Sequence, residues 1–274
     1  MNYRVIALDL DGTLLDNQKR ILPQSLAALA EARAAGVEVV VVTGRHHIAI
    51  HPFYQALQIT TPAICCNGTY LYDFQQKKVL AADPLPQDQA RLVLQMLKQS
   101  DISALMYVDD AMLYQVPSSN VIRSLAWAET LPKAQRPTLQ QVNSLAQAAD
   151  EAQSIWKFAL SHADIPALRH FAEALEKELG LACEWSWHDQ VDIAKSGNSK
   201  GKRLQQWVSA QGLSMDQVVA FGDNYNDLSM LEAVGLGVAM GNADDAIKAR
   251  ADLTIADHMQ PGIAEVIRTR VLGQ

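Results

Sequence analysis

Two apolar runs constrain the fold more than any other feature. Residues 4–10 read "RVIALDL" and residues 37–44 read "VEVVVVTG". Neither alternates apolar with polar, so neither suits a strand with one wet face. Both suit strands buried on two faces, the pattern of a parallel sheet covered by helices. Between them "PQSLAALAEARAAG" has a proline at a helix start and a glycine at its stop. "HHIAIHPFYQAL" then predicts a short helix and "AICCNG" a third strand. A βαβαβ order of this kind implies parallel strands with right-handed crossovers.

The middle of the chain changes period. "ALMYVDDAMLYQV" and "ACEWSWHDQVDIAK" read as hairpins, "SIWKFALSH" as a strand and "IPALRHFAEALEKELG" as a capped helix. The βα rhythm returns after residue 190. The expected class is therefore α/β: a Rossmann-like parallel-sheet core, residues 1–82 and 190–274, interrupted by an α+β cap at 83–189.

Composition excludes several functions. The formal charge is −7, and a nucleic-acid surface needs a basic stripe. No stretch approaches the ~20 apolar residues that span a membrane. The start, "MNYRVIALDLDG", enters a strand without a signal-peptide pattern. Three cysteines, two of them adjacent, make no disulfide framework and suit the cytoplasm.

The first strand carries Asp9 and Asp11 at its end. Carboxylates are expensive inside a sheet unless paired or bound to a cation. In open parallel sheets, ligands sit beyond the carboxyl ends of the strands. Thr43, Gly44 and Arg45 end the second strand, and Asp223 ends "VVAFGD", with Asn226 and Asp227 just after. An extended backbone would put the Asp9 and Asp11 side chains on one side, about 6.6 Å apart. Acids at two strand ends make an oxygen-rich pocket suited to Mg²⁺. Opposite charge comes from Lys200, in the first turn of a helix capped by Ser199; free helical N–H groups suit phosphate there. Thr43 offers a hydroxyl, and Gly44 lets a backbone N–H approach closely. The chemistry that needs this set is phosphoryl transfer through an aspartyl-phosphate. A carboxylate attacks, a cation and a lysine offset the repulsion, and a second carboxyl moves the proton.

"DLDGTLLD", "VVVTGR", "SKGKRL" and "GDNYNDLSML" resemble, in order and spacing, the four motifs of haloacid dehalogenase-like hydrolases. The mid-chain insert, "CNGTYLYD" and "GVAMGNA" resemble the Cof-type phosphatases of that superfamily, those with a C2 cap. The resemblance implies that Asp9 is the nucleophile and a Mg²⁺ ligand. It implies that Asp11 is the general acid/base and lends the metal its backbone carbonyl. Asp223 is then the other protein ligand, and Asp227 supports the metal or its waters. Leu10 and Gly44, through backbone N–H, hold phosphoryl oxygens together with Thr43, Lys200 and Asn226. The implied substrate is a small phosphorylated metabolite, pyridoxal 5′-phosphate first and sugar phosphates next. A phosphomutase on the same core is a further alternative.

Other patterns read as structure. His47 and His51 have the spacing of H-E-x-x-H, but Ile48 holds the glutamate's place. Gly235, Gly237 and Gly241 miss the G-x-G-x-x-G spacing of a nucleotide loop. Cys65 and Cys66 read as small buried hydrophobes. Trp156, Trp185 and Trp187 suit a cap core as well as stacking on a flat substrate.

Overall fold

A computed structural model describes residues 3–274. The chain divides into two compact units. The first comprises 1–45, 52–81 and 199–274; the second comprises 46–51 and 82–198. The strand Gln190–Ala194 pairs within the second unit's sheet, so that unit runs on to residue 198.

In the first unit, five described strands form a parallel sheet in the order Leu253–Thr254, Leu236–Ala239, Val218–Gly222, Val5–Leu8, Glu38–Val41. Val5–Leu8 is central and wholly buried. Leu8 stands opposite Phe221 on one side and Val41 on the other. That register delivers residues 9, 42–43 and 222–223 to one edge of the sheet. Helix Pro23–Ala34 buries Ser25, Ala28, Leu29 and Ala32, the spacing of one helical face. Helix Lys200–Ala210 starts at Ser199, whose Oγ accepts the Lys202 N–H at 3.1 Å.

The third strand runs parallel to the second, as expected, at the Val42–Ile64 bridge, but Ala63–Cys65 also takes an antiparallel partner that was not foreseen, Tyr70–Asp73. The cause lies in the intervening turn. Cys66 (φ 49°), Asn67 (φ 56°) and Gly68 (φ 90°) are all left-handed and send the chain back on itself. The stretch "NDLSMLEAVG" opens in a 3₁₀ turn, Tyr225–Asp227, followed by a short helix, Leu228–Leu231.

In the second unit, six described strands run in the order Ala182–Trp187, Gln190–Ala194, Ile155–Ser161, Ser103–Val108, Ala111–Tyr114, Leu139–Gln141. All pairs are antiparallel except the last. Met106, Phe158, Leu160, Val191 and Ile193 pack with Val93 and Leu94 of helix Gln87–Leu97 and with Leu168 and Leu175 of helix Ile165–Leu179. The latter helix is capped by Asp164 and ends at left-handed Gly180. Trp156 is buried and its Nε1 donates to the Asp109 carbonyl at 3.1 Å; Trp185 packs against the core, and Trp187 is exposed. His47 is buried, with Nε2 3.0 Å from Asp110 Oδ1. Cys65 and Cys66 are fully buried, and no cysteine is in a disulfide among the described residues.

Candidate active site

The edge of the parallel sheet gathers the acids. Asp9 follows the first strand, and its N–H donates to the Phe221 carbonyl at 3.1 Å. Asp223 and Asp227 follow the neighbouring strand Val218–Gly222. Each of the three offers a carboxylate oxygen lying within 4.8 Å of the other two. Among the described residues, no other group of acids, histidines or cysteines has this spacing.

Lys200 enters the cluster from the first turn of its helix. Its Nζ lies 2.7 Å from Asp9 Oδ1 and 2.6 Å from Asp227 Oδ1. Burial would lower the lysine's pKa, but the charges of Asp227 and Asp9 outweigh it and keep the group charged. One ammonium against three carboxylates leaves an excess of negative charge in a buried place. Burial pushes the Asp9 carboxyl up; Lys200 pulls it back, and Asp227 and Asp223 push it further. Asp223 is pushed up to about 7, by burial first and by the charge of Asp227 second.

Asp227 is fully buried, and its oxygens are committed. Oδ2 accepts the N–H groups of Asp223 and Asn224, each at 3.0 Å, while Oδ1 meets Lys200. Asp223 is steered by residues the sequence did not single out. Thr13 Oγ1 donates to its Oδ1 at 2.8 Å, and Asn242 Nδ2 lies 3.3 Å from its Oδ2.

Asp11 is not part of the three-acid group. Its Oδ2 takes Arg45 Nε at 2.5 Å, and its Oδ1 takes Arg45 Nη2 at 2.7 Å and Lys19 Nζ at 2.6 Å. Burial works to raise its pKa, yet the guanidinium and then the ammonium hold the carboxyl well below the usual range.

The remaining expected residues lie along the same edge. Thr43 is buried, with Oγ1 accepting the Arg45 N–H at 3.1 Å. Leu10 is buried, and its carbonyl accepts the Leu15 N–H at 2.9 Å. A Cβ on Gly44 would lie 2.8 Å from Asn67 Oδ1, so a side chain there would displace Asn67 from its place beside Asn226. Asn226 Nδ2 donates to Asn67 Oδ1 at 3.0 Å, while its own Oδ1 is buried without a hydrogen bond among the described residues. Asn67 links the second and fourth segments, and its only sequence signal was the Asn-Gly turn in "CNGTYLYD".

A parallel sheet whose carboxyl edge combines an acid pair, a threonine-glycine turn, a buried lysine and a second acid pair defines a hydrolase of the haloacid dehalogenase type. The chain belongs to the haloacid dehalogenase-like hydrolase family, which it matches over residues 6–267. Among known proteins it is 62% identical over 272 residues to the pyridoxal phosphate phosphatase YbhA of Escherichia coli (strain K12), covering 99% of this chain and 100% of that one. It is 29% identical to the 5-amino-6-(5-phospho-D-ribitylamino)uracil phosphatase YitU of Bacillus subtilis (strain 168), covering 96% of each. A solved haloacid dehalogenase-like hydrolase from Bacteroides thetaiotaomicron superposes with a TM-score of 0.85 at 24% identity, covering 97% of this chain and 99% of that one.

Proposed function

We propose that this chain is a Mg²⁺-dependent phosphatase of small phosphomonoesters, acting through an aspartyl-phosphate on Asp9, with pyridoxal 5′-phosphate as its first substrate. The observation that carries the reading is the cluster of buried Asp9, Lys200 and Asp227 with half-buried Asp223 at the carboxyl edge of a parallel sheet. The choice of substrate is supported by the 62% identity to a pyridoxal phosphate phosphatase over nearly the whole chain. An acidic chain with no helix long and apolar enough to cross a membrane, among the described residues, fits a small-molecule substrate. Its cysteines fit a cytoplasmic setting.

The donors suit a hard divalent cation. They are carboxylate oxygens with excess negative charge, and Mg²⁺ takes one or two carboxylates and keeps several waters. Asp9 and Asp223, with the Asp11 backbone carbonyl, would hold it, and Asp227 would support it. The ion supplies charge neutralisation for a dianionic ester.

The chain's own groups do the rest. Asp9 attacks phosphorus, and the bond from phosphorus to the ester oxygen breaks. Asp11 delivers a proton to that leaving oxygen, for which its carboxyl, held ionised by Arg45 and Lys19 in this structure, must first take one up from solvent. Lys200 offsets the repulsion between the Asp9 carboxylate and the phosphoryl group, with Thr43, Asn226 and the N–H groups of Leu10 and Gly44 around the phosphoryl oxygens. Water then attacks phosphorus, Asp11 takes its proton, and Asp9 is released as carboxylate with inorganic phosphate.

A panel of phosphorylated metabolites, assayed for phosphate release with Mg²⁺ and with EDTA, tests this. Pyridoxal 5′-phosphate should lead the panel, and chelation should abolish turnover. Full activity in EDTA would end the metal reading, and a sugar phosphate far ahead would replace the substrate. Transfer of phosphate between sugar positions without release would make it a mutase.

A further inference from the structure

The stretch "CNGTYLYD" has no part in the chemistry so far, yet its turn touches the segments that carry Thr43, Lys200 and Asn226. The Cys66 N–H donates to the Arg45 carbonyl and the Asn67 N–H to the Thr43 carbonyl, both at 3.0 Å. From helix Lys200–Ala210, buried Arg203 donates Nε to the Gly68 carbonyl at 2.9 Å and Nη2 to the Thr69 carbonyl at 3.2 Å. A Cβ on Gly68 would collide with the Ser199 carbonyl, just before Lys200. The turn is thus clamped between the end of the second strand and the start of that helix.

Asn67 reaches the remaining segment. It is buried and left-handed, with φ 56° and ψ 35°. Its Oδ1 accepts Asn226 Nδ2 at 3.0 Å, across 159 residues. An asparagine in this backbone region is ordinarily there for the turn alone. Glycine would serve such a turn as well. The turn does not require a buried side chain that spends its oxygen on a distant loop.

Asn226 shows what that oxygen decides. A side-chain amide has a donor end and an acceptor end, and its last torsion is soft. A phosphoryl oxygen is attracted by one end and repelled by the other. Asn67 Oδ1 can only accept, so it holds the Nδ2 end of Asn226 on its own side. The opposite end is left at a disadvantage: Asn226 Oδ1 is buried without a hydrogen bond among the described residues. A buried, unpaired acceptor favours turning the amide over or out to water. The bond to Asn67 opposes that turn. It takes one of the two N–H groups on Nδ2 and leaves the second for a ligand.

We propose that Asn67 is a positioning residue, which acts through Asn226 by fixing which end of its amide serves the phosphoryl group. The inference rests on the reading of Asn226 as a residue that holds phosphoryl oxygens. Asn67 itself is assigned no contact with the substrate. The phosphoryl group is common to every ester, so the loss on removing the Asn67 side chain does not depend on the leaving group.

The test uses Asn67→Gly, which removes the side chain and keeps the left-handed turn; Asn67→Ala, which removes it and strains the turn; and Asn226→Ala. Both Asn67 variants are also made in the Asn226→Ala background. The Ki of inorganic phosphate as a competitive inhibitor is measured with Mg²⁺, together with kcat/KM on p-nitrophenyl phosphate and glycerol 2-phosphate, and Tm. Asn226→Ala should raise the Ki about 10- to 100-fold, the worth of a hydrogen bond to a charged group. Asn67→Gly should raise it about 5- to 20-fold, because the amide is freed but not removed. The fall in kcat/KM should be the same on both esters. Asn67→Ala should have a lower Tm than Asn67→Gly, yet a Ki within about twofold of it. In the Asn226→Ala background neither Asn67 variant should change the Ki further.

Losses that multiply with Asn226→Ala would overturn the proposal, because Asn67 would then act on the phosphoryl group by another route. A Ki that follows Tm across the two Asn67 variants would also overturn it and reduce the residue to a turn former. If Asn226→Ala alone leaves the Ki unchanged, the reading of Asn226 fails and the inference fails with it. If Asn226→Ala weakens phosphate and Asn67→Gly does not, the inference alone is lost.

Discussion

Lys200 Nζ lies 2.7 Å from Asp9 Oδ1, and both side chains are buried. The same ammonium reaches Asp227 Oδ1 at 2.6 Å, so one cation ties the strand-end acid to the acid of the next strand's turn. Lys200→Met should cost about 10²–10³ in kcat, the size of losing one preorganised charge at a developing anion. It should also leave Asp9 and Asp227, both buried, without the cation they share. The rise in Tm on adding Mg²⁺ should therefore be larger in the variant than in the parent, because the ion then meets more uncompensated charge. Thermal unfolding with and without Mg²⁺ reads this. An unchanged or smaller rise would mean that Lys200 and the ion do not share these acids.

Asp9 and Asp11 are two residues apart and sit in different company. Asp9 meets Lys200, and Asp11 meets Arg45 and Lys19. Asp9→Asn should abolish cleavage of every ester. Asp11→Asn keeps Asp9, the proposed nucleophile, and should cost about 10²–10⁴-fold in steady turnover. With p-nitrophenyl phosphate that variant should release about one equivalent of nitrophenol in a burst, because the first step needs little acid and the second needs the base. With an alkyl phosphate no burst should form. Rapid mixing decides it, and the same loss on both esters without a burst would remove Asp11 from proton transfer.

The strand-end acids and Lys200 were legible because each follows a local signal: a buried apolar run that ends in a carboxylate, or a lysine after a capping serine. Thr13, Asn67 and Asn242 were not. Their partners lie far along the chain; Asn67 meets Asn226 across 159 residues, and Thr13 meets Asp223 across 210. No local periodicity carries such a closure. The reversal after Ala63–Cys65 was hidden for another reason. Cys66 takes a left-handed conformation without being a turn-forming residue, and its N–H is held by the Arg45 carbonyl at 3.0 Å, a partner 21 residues away. Lys19 was equally silent, since a lysine in a polar loop reads as solvated until the turn's hydrogen bonds aim it.

The second unit carries a pH dependence of its own. His46 is fully buried, its Nε2 3.2 Å from the Val108 carbonyl, and its ring centroid is 4.5 Å from that of His47. Burial lowers both; the neighbouring His47 and Lys157 lower His46 further, while Asp110 partly restores His47, to about 4. An unfolded histidine has a pKa of about 6.5, so between that value and the folded one the unfolded chain binds more protons. Stability should be full above about pH 6.5 and fall as pH drops toward 4, by up to about 1.4 kcal/mol per pH unit for each histidine. Asp9 and Asp223, whose folded values are raised, work in the opposite direction over an overlapping range. The comparison is therefore between parent and His47→Gln in urea unfolding at pH 7 and pH 5. The variant should lose less stability on acidification, and equal losses would clear His47 of the effect.

Gly12 tests how tightly the Asp223 carboxylate is seated. Its φ is +79°, and a Cβ built there would lie 2.7 Å from Asp223 Cγ and 2.9 Å from Oδ1. The carboxylate has little room to yield, because Thr13 Oγ1 and Asn242 Nδ2 hold its two oxygens. Asn242 Nδ2 is itself tied to the Gly12 carbonyl at 2.9 Å. Gly12→Ala therefore adds two penalties: left-handed strain of about 1–2 kcal/mol and displacement of an acid in the proposed cation site. Gly36 separates them. It has φ +83°, with nothing within 4 Å of the position its Cβ would take. Gly36→Ala should lower Tm by a few degrees, as expected for about 1 kcal/mol in a chain of this size, and leave turnover and Mg²⁺ dependence alone. Gly12→Ala should lower Tm at least as much, and should also raise the Mg²⁺ concentration for half-maximal activity by about 10- to 100-fold, the usual effect of disturbing what orients a metal ligand. Titrating Mg²⁺ against activity in the two variants decides it. A Gly12→Ala variant with the parent's Mg²⁺ requirement would take Asp223 out of the cation site, whatever its stability.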